Sequence, residues 1–282
     1  MADEPWTILR VLNWTQRHFT ERGLPTPRLD AEVLLAHALQ RDRVGLYTHH
    51  DQPLDPAELA GYRELIQRRL GGEPVAYLVG QQEFWSLPFS VDRRVLIPRP
   101  ETETLVEVAL ELLEGCAQPT VADIGTGSGA IAIAIAHERS DARMIAVDRS
   151  MDALAVAGAN AAANGVEVEF RQGDLLRPLA DLMLDLVVSN PPYIAEGDFV
   201  SLPAEVKCEP REALLSGPDG LDAIRRIAAE VSPLLATDGA VAIEVGAGQA
   251  TSAAELFHQQ GLTHTTTRRD LLGIERVVIA RR

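Results

Sequence analysis

The sequence predicts a doubly wound α/β sheet preceded by a small helical bundle. Three observations carry this. Apolar residues recur at helical spacing through residues 1–72, strand-like and helical runs alternate after residue 120, and a glycine-rich turn joins the first of those strands to its helix.

Ile8, Leu12, Thr15 and Phe19 fall at helical spacing, and Leu29, Val33, Ala36 and Leu39 repeat it after Thr26-Pro27, so two amphipathic helices are expected. Asp55-Pro56 opens a third, with Leu59, Tyr62, Ile66 and Leu70 on one face, and Gly71-Gly72 ends it. Residues 1–72 therefore read as a helical bundle. From Glu73 to Arg99 short apolar pieces are broken by Pro and Gly, and Glu83–Val91 suits a hairpin or an extended connector, which makes 73–99 the expected linker. Pro100 is placed as a first helical residue, with Glu101 and Glu103 near the positive helix end, and its helix is expected to reach Glu114. Strands are then expected at Val121–Ile124, Met144–Val147, Val166–Phe170, Leu186–Ser189, Ala240–Val245 and Val277–Ala280. Helical runs at Ala130–Glu138, Met151–Asn164, Leu221–Leu235 and Ala250–Gln260 separate them, so 100–282 is the expected α/β domain. Val166, Val168 and Phe170 alternate with Glu167 and Glu169 as in an edge strand, whereas the unbroken Leu186-Val187-Val188 suits a central one.

The 282 residues include 26 Lys+Arg and 41 Asp+Glu, a net charge of −15, with 46% hydrophobic residues. Such a chain is globular rather than disordered or collagenous. The acidic start Met1-Ala2-Asp3-Glu4 lacks a basic region followed by an apolar stretch, and no run approaches the roughly 20 apolar residues of a membrane span. A cytoplasmic protein without membrane contact is expected. Residues 1–72 hold 9 basic and 10 acidic side chains and residues 73–282 hold 17 and 31, so the acidity belongs to the α/β part. A surface that grips a phosphate backbone is usually basic, so nucleic acid is disfavoured as the direct substrate while a basic protein partner suits the charge. Cys116 and Cys208 stand far apart and outside any Cys-x-x-Cys pair, which argues against a zinc site or a disulfide framework. No metal is expected.

Asp123-Ile124-Gly125-Thr126-Gly127-Ser128-Gly129-Ala130 lies between the first strand and its helix, where glycines allow a tight turn and close approach of a ligand to the backbone. Asp148 ends the next strand, where its carboxylate can accept hydrogen bonds from both hydroxyls of a ribose. A nucleotide-like cofactor is implied. Gly125, Gly127 and Ala130 also satisfy the dinucleotide pattern, so the turn alone leaves NAD in contention.

Asn190-Pro191-Pro192-Tyr193 follows the apolar strand at the carboxyl edge, where such sheets bind ligands. A nitrogen attached to an sp2 carbon is a poor nucleophile because its lone pair is delocalised, so it must be held rigidly and aimed. The Asn190 side-chain oxygen and the Pro191 carbonyl can each accept one N–H, Tyr193 can stack on the flat group, and consecutive prolines fix the backbone while removing competing donors. The electrophile this implies is the sulfonium methyl of S-adenosylmethionine, approached in line, with positioning as the main catalytic contribution and no metal or catalytic base required.

With Glu73-Pro74-Val75-Ala76-Tyr77-Leu78, Glu83-Phe84-Trp85, Leu96-Ile97-Pro98-Arg99-Pro100-Glu101-Thr102-Glu103, Glu209-Pro210 and Gly220-Leu221, these motifs make nearly the whole chain resemble the HemK/PrmC family. Its members methylate the glutamine of the Gly-Gly-Gln motif in class I peptide chain release factors. The tetrapeptide is shared with DNA adenine methyltransferases, whereas the Ile-Pro-Arg-Pro-Glu-Thr-Glu segment and the helical N-terminal domain characterise protein-glutamine methyltransferases. The resemblance implies an S-adenosylmethionine-dependent, Rossmann-like methyltransferase sheet of seven strands whose last, Ile274–Ala280, runs antiparallel. It also implies a small N-terminal helical domain for release factor recognition and a hairpin linker. By the same resemblance Gly125, Thr126, Gly127, Ser128 and Gly129 line the cofactor, Asp148 binds its ribose, and Asp174 and Leu175 flank the adenine. Asn190 would touch cofactor and substrate amide, with Pro191, Pro192 and Tyr193 completing the glutamine pocket.

The nearest competing assignment is the related family that methylates a glutamine of a large-subunit ribosomal protein; only the substrate differs. A DNA or RNA base methyltransferase conflicts with the net charge of −14 over residues 73–282. An NAD-linked dehydrogenase and a non-catalytic release-factor-binding module are separated by whether a nucleotide is bound, and which one. His49-His50 reads as a solvent-exposed loop pair and Trp6 and Trp14 as packing residues of the first helix; for Arg99 and Glu101 the helix start is a sufficient reading, while the family resemblance implies that their segment borders the cofactor pocket, and they stay outside the expected site.

Overall fold

A computed structural model describes residues 5–282; the acidic start at positions 1–4 lies outside them. The chain divides into two compact units, one holding the residues up to Gly80 together with Pro203–Cys208, the other Gln81–Leu202 with Glu209–Arg282.

The first unit is built from α1 (Ile8–Glu21), α2 (Pro27–Ala38), α3 (Arg43–Thr48), α4 (Pro56–Leu70) and α5 (Val75–Val79). Asp55 caps α4 by accepting the Ala57 and Glu58 backbone N–H groups at 2.8 Å, while Glu58 accepts that of Asp55, a reciprocal capping box. Ile8, Leu12 and Phe19 of α1 meet Tyr62 and Ile66 of α4 in one core, as their spacing predicts. The face expected for α2 is corrected in part: Ala36 is in the core as expected and Ala31, Leu34 and Leu35 join it, whereas Leu29 is exposed and Val33 and Leu39 are only partly buried. Buried ion pairs account for the rotation. Asp30 meets Arg69 at 2.7 Å, and Glu32 meets Arg28 and Arg43 at 2.6 Å each, so two charged positions that apolar spacing does not register share the inward face. Arg69 also meets Glu205 of the returning segment at 2.8 Å. Trp6 and Trp14 are corrected as well. Trp6 precedes α1, both rings are exposed, Arg10 covers Trp6 and His18 stacks on Trp14.

The second unit opens with a hairpin, β1 (Gln81–Phe84) and β2 (Leu87–Ser90), whose two turn residues, Trp85 and Ser86, have φ of 54° and 57°. That is the left-handed conformation a tight two-residue hairpin demands. It is held from outside, since Glu103 accepts the Trp85 backbone N–H and Glu138 its indole N–H, each at 2.8 Å. A 3-10 turn at Pro100–Thr102 leads into α6 (Glu103–Leu112). Then follow β3 (Thr120–Ile124), α7 (Ala130–Glu138), β4 (Arg143–Asp148), α8 (Met151–Ala163), β5 (Glu169–Gln172), β6 (Leu184–Ser189), α9 (Asp222–Val231), β7 (Leu235–Glu244), α10 (Ala250–Gln259), β8 (His264–Arg269) and β9 (Glu275–Arg281).

Seven strands form one sheet in the order β5-β4-β3-β6-β7-β9-β8. The first five are parallel, and β9 runs antiparallel to both β7 and β8. Chain order reverses between β3 and β6, the switch point where open α/β sheets offer a crevice. Ile224, Ile227 and Val231 of α9 and Ala253 and Phe257 of α10 pack against Ala122, Ile145, Val187, Val241 and Ile243. As expected, β5 is an edge strand and β6 a central one, but β5 starts at Glu169 rather than Val166. Val166 is used by the end of α8. Its N–H bonds to Ala161 and that of Gly165 to Ala162, the paired closure of a helix C-terminus.

Candidate active site

The glycine turn projects from β3 and folds back on β4, because the Val147 carbonyl accepts the N–H groups of Gly125 and Thr126 at 2.8 and 3.0 Å. Gly125 and Gly127 have φ of 74° and 55°, and a Cβ at either would meet nothing within 4 Å, so the turn presents open backbone to a cavity of about 360 Å3. That size suits a nucleoside-like ligand. Asp148 ends β4 at the cavity wall, its two oxygens accepting the Gly127 and Ser150 backbone N–H groups at 2.9 Å each. These bonds aim the carboxylate and leave lone pairs for hydroxyl donors.

On the facing side, β6 ends in Ser189, whose hydroxyl donates to the Ile124 carbonyl at 2.6 Å and ties the two strand ends at the switch point together. Asn190 and Pro192 then line the same cavity as Gly125, Gly127, Asp148, Asp174 and Leu175. The remaining expected residues stand behind this wall. Thr126 is buried and donates to Asp123 at 2.7 Å, Ser128 gives its carbonyl to buried Asn160 at 2.9 Å, and Gly129 and Pro191 are buried. Tyr193 is partly buried, and its carbonyl accepts the Gln249 side-chain N–H at 2.9 Å. Burial, with the neighbouring Glu244 charge, pushes the Tyr193 phenol up to about 12, so it stays neutral.

Asp174 is paired with Arg226 at 2.5 Å, which holds its carboxyl below the usual range. Leu175 sits at φ 51° with its side chain against the sheet core, so an unusual backbone turn presents this residue at the cavity. Burial drives two acids the other way: Asp123 under the glycine turn and Glu244 at the end of β7 are each raised to about 7. Among the described residues no three His, Cys, Asp or Glu side chains are grouped to hold a metal ion, and no helix is long and apolar enough to cross a membrane.

Residues 10–80 match the family model described as the PrmC N-terminal domain, and residues 102–217 the methyltransferase small domain. The release factor glutamine methyltransferase of Geobacter sulfurreducens is 44% identical over 281 residues, covering 99% of this chain and 98% of that protein. That of Rhodopirellula baltica is 42% identical over 285 aligned residues, covering 98% and 96%. The chain belongs to the release factor glutamine methyltransferase family. A solved structure of the hMettl16 catalytic domain, 15% identical over 77% of this chain and 81% of that one with a TM-score of 0.58, shares the fold alone.

Around the site of this methyltransferase family member stand residues to which the sequence assigns no role. Glu209 is buried, accepts the Ile97 backbone N–H at 3.0 Å and pairs with Arg99, so the proline-rich segment before α6 is held by a carboxylate more than a hundred positions away. Asn160 joins Ser128 to Ser90 of the hairpin, whose N–H it accepts at 2.8 Å. Neither residue belongs to a recognisable local pattern. Glu209-Pro210 carries a signal only through the family resemblance.

Proposed function

We propose that this chain transfers a methyl group from S-adenosylmethionine to the side-chain amide nitrogen of the glutamine in the Gly-Gly-Gln motif of class I peptide chain release factors. The observation that carries the reading is the meeting of Asn190, at the end of β6, with the open glycine turn and Asp148 on one cavity. S-adenosylmethionine supplies an electrophilic methyl on a sulfonium. In this reading Gly125 and Gly127 form the cofactor wall with Thr126, Ser128 and Gly129 supporting it from behind, Asp148 accepts the ribose hydroxyls, and Asp174 and Leu175 border the adenine. The Asn190 oxygen and Pro191 carbonyl take one amide N–H each, while Pro192 and Tyr193 complete the glutamine pocket. Fixing both N–H groups turns the nitrogen lone pair toward the methyl carbon; as the new N–C bond would form, the methyl–sulfur bond would break with its electron pair left on sulfur as the neutral thioether of S-adenosylhomocysteine, and the nitrogen would shed one proton to water. Residues 1–72 dock the protein substrate, 73–99 connect, and 100–282 carry out the transfer. A site that works by acceptors and positioning needs no basic groove, consistent with the acidic 73–282.

Mass spectrometry tests this directly on a release factor, a large-subunit ribosomal protein and a DNA duplex, each incubated with the protein and S-adenosylmethionine. A single methyl on the Gly-Gly-Gln glutamine is expected; a methyl on only one of the others overturns the substrate. Asn190→Ala should bind cofactor nearly as wild type while methyl transfer is almost abolished.

A further inference from the structure

The Asn190 carboxamide has a donor end and an acceptor end of nearly the same shape, and only the acceptor end can hold an amide N–H. A half-turn of that group would present its NH2 to the substrate, so something must select the orientation. In the structure the Asn190 Nδ2 donates to the Thr102 hydroxyl oxygen at 3.1 Å. Thr102 is buried at the opening of α6, and its hydroxyl is one of the groups that favour the ionised form of Glu244 at the end of β7, itself 1% exposed. A hydroxyl has one proton, and an ionised carboxylate only accepts. If the Thr102 proton turns to Glu244, the Thr102 oxygen is left to receive an N–H, which only the Nδ2 end of Asn190 can supply. Burial, with Glu101, opposes the ionised form of Glu244, while Thr102, Arg276 and Arg99 favour it; its Oε2 is buried without a hydrogen-bond partner, so the carboxylate has an acceptor free for a donor.

We infer that Thr102 and Glu244 are positioning residues, a relay running from the Glu244 carboxylate through the Thr102 hydroxyl to the Asn190 Nδ2 that keeps the Asn190 oxygen facing the substrate amide. The role rests on the proposed amide chemistry, and its structural half stands apart from any substrate.

The test uses the full chain at about pH 8.5, where a carboxyl raised to about 7 is ionised. Thr102→Val keeps the shape and removes the hydroxyl; Thr102→Ser restores it. With release factor as substrate, Thr102→Val should lower kcat about tenfold or more with KM for S-adenosylmethionine little changed, and Thr102→Ser should recover most of the loss. Glu244→Gln, which retains an oxygen to accept the Thr102 proton, should stay closer to wild type than Glu244→Met. In 15N-labelled free protein the Asn190 side-chain NH2 should be protected from exchange in wild type and Thr102→Ser and unprotected in Thr102→Val. Should Thr102→Val fail to fold, the Glu244→Met and Glu244→Gln pair carries the same comparison. Equal kcat in wild type and Thr102→Val, equal loss in the Val and Ser variants, or an unprotected wild-type NH2 each overturns the relay. Absence of release factor methylation by wild type overturns the substrate reading instead, and the NH2 exchange then decides the relay alone.

Discussion

Gly220 lies against Tyr193 so closely that a Cβ on it would stand 2.2 Å from the Tyr193 carbonyl oxygen. Gly220 also has φ of 77°, so two independent constraints bar any other residue. The Gly220→Ala variant should push the Asn-Pro-Pro-Tyr backbone out of place, since the obstructing atom belongs to the main chain and cannot swing away. We expect about 2 kcal/mol or more of lost stability and at least tenfold slower turnover per folded molecule. Thermal unfolding and single-turnover rates check it together; full activity would show that Tyr193 tolerates displacement.

Asp148 predicts a binding defect rather than a rate defect. Asp148→Asn replaces an acceptor-only carboxylate with a group that must also place an NH2, and the Gly127 and Ser150 N–H groups compete for its one oxygen. Cofactor affinity, read by calorimetry, should fall roughly 10- to 100-fold, or about 1.4–2.8 kcal/mol. An unchanged Kd would remove the ribose role from this residue.

Stability should decline as pH rises from about 5 to 7. Asp123 and Glu244 hold protons in the fold up to about 7, whereas their unfolded values are near 3.8 and 4.5, so between these limits the native state binds more protons than the unfolded chain. Protonation therefore favours the fold in that window, and the contribution is lost as pH passes through 7. Acids with lowered values, such as Asp174 and Glu169, act in the opposite sense only at lower pH, below about 4.5. Differential scanning calorimetry should show Tm falling by several °C, on the order expected for a few kcal/mol, and Asp123→Asn should flatten the slope. A flat wild-type profile would mean that neither acid is proton-bearing.

The hairpin turn offers a stabilising change. Ser86 holds φ of 57° with a side chain, where glycine carries no such penalty. Ser86→Gly should gain about 0.5–1 kcal/mol in urea unfolding, because the relieved strain exceeds the added freedom of the unfolded chain. Loss of stability would show that the Ser86 side chain contributes more than its backbone costs.

The cavity walls were legible because their chemistry is local: a glycine turn after a strand, an acid ending the next strand, and Asn190 to Tyr193 at the edge of a third. Thr102 and Glu244 were not, since a threonine in a helix opening and one glutamate closing an apolar strand gain meaning only when β6, β7 and α6 are brought side by side. The same limit hid β8. Its His264-Thr265-Thr266-Thr267 stretch is largely solvent-facing and lacks the apolar alternation that marks a half-buried strand, so only pairing with β9 identifies it. Leu34 and Leu35 were missed as core residues because the inward face of α2 also carries Asp30 and Glu32.

Of the seven strands, the one synthesised last is an interior one. β9 pairs through Val277–Arg281 with β7 on one side and with β8 on the other, so until it emerges from the ribosome both neighbours display open edges. The nascent chain thus carries two unsatisfied templates for intermolecular pairing, and β8 waits without a partner. Removing Val277–Arg281 would therefore leave an aggregation-prone sheet with two open edges rather than a slightly shortened protein.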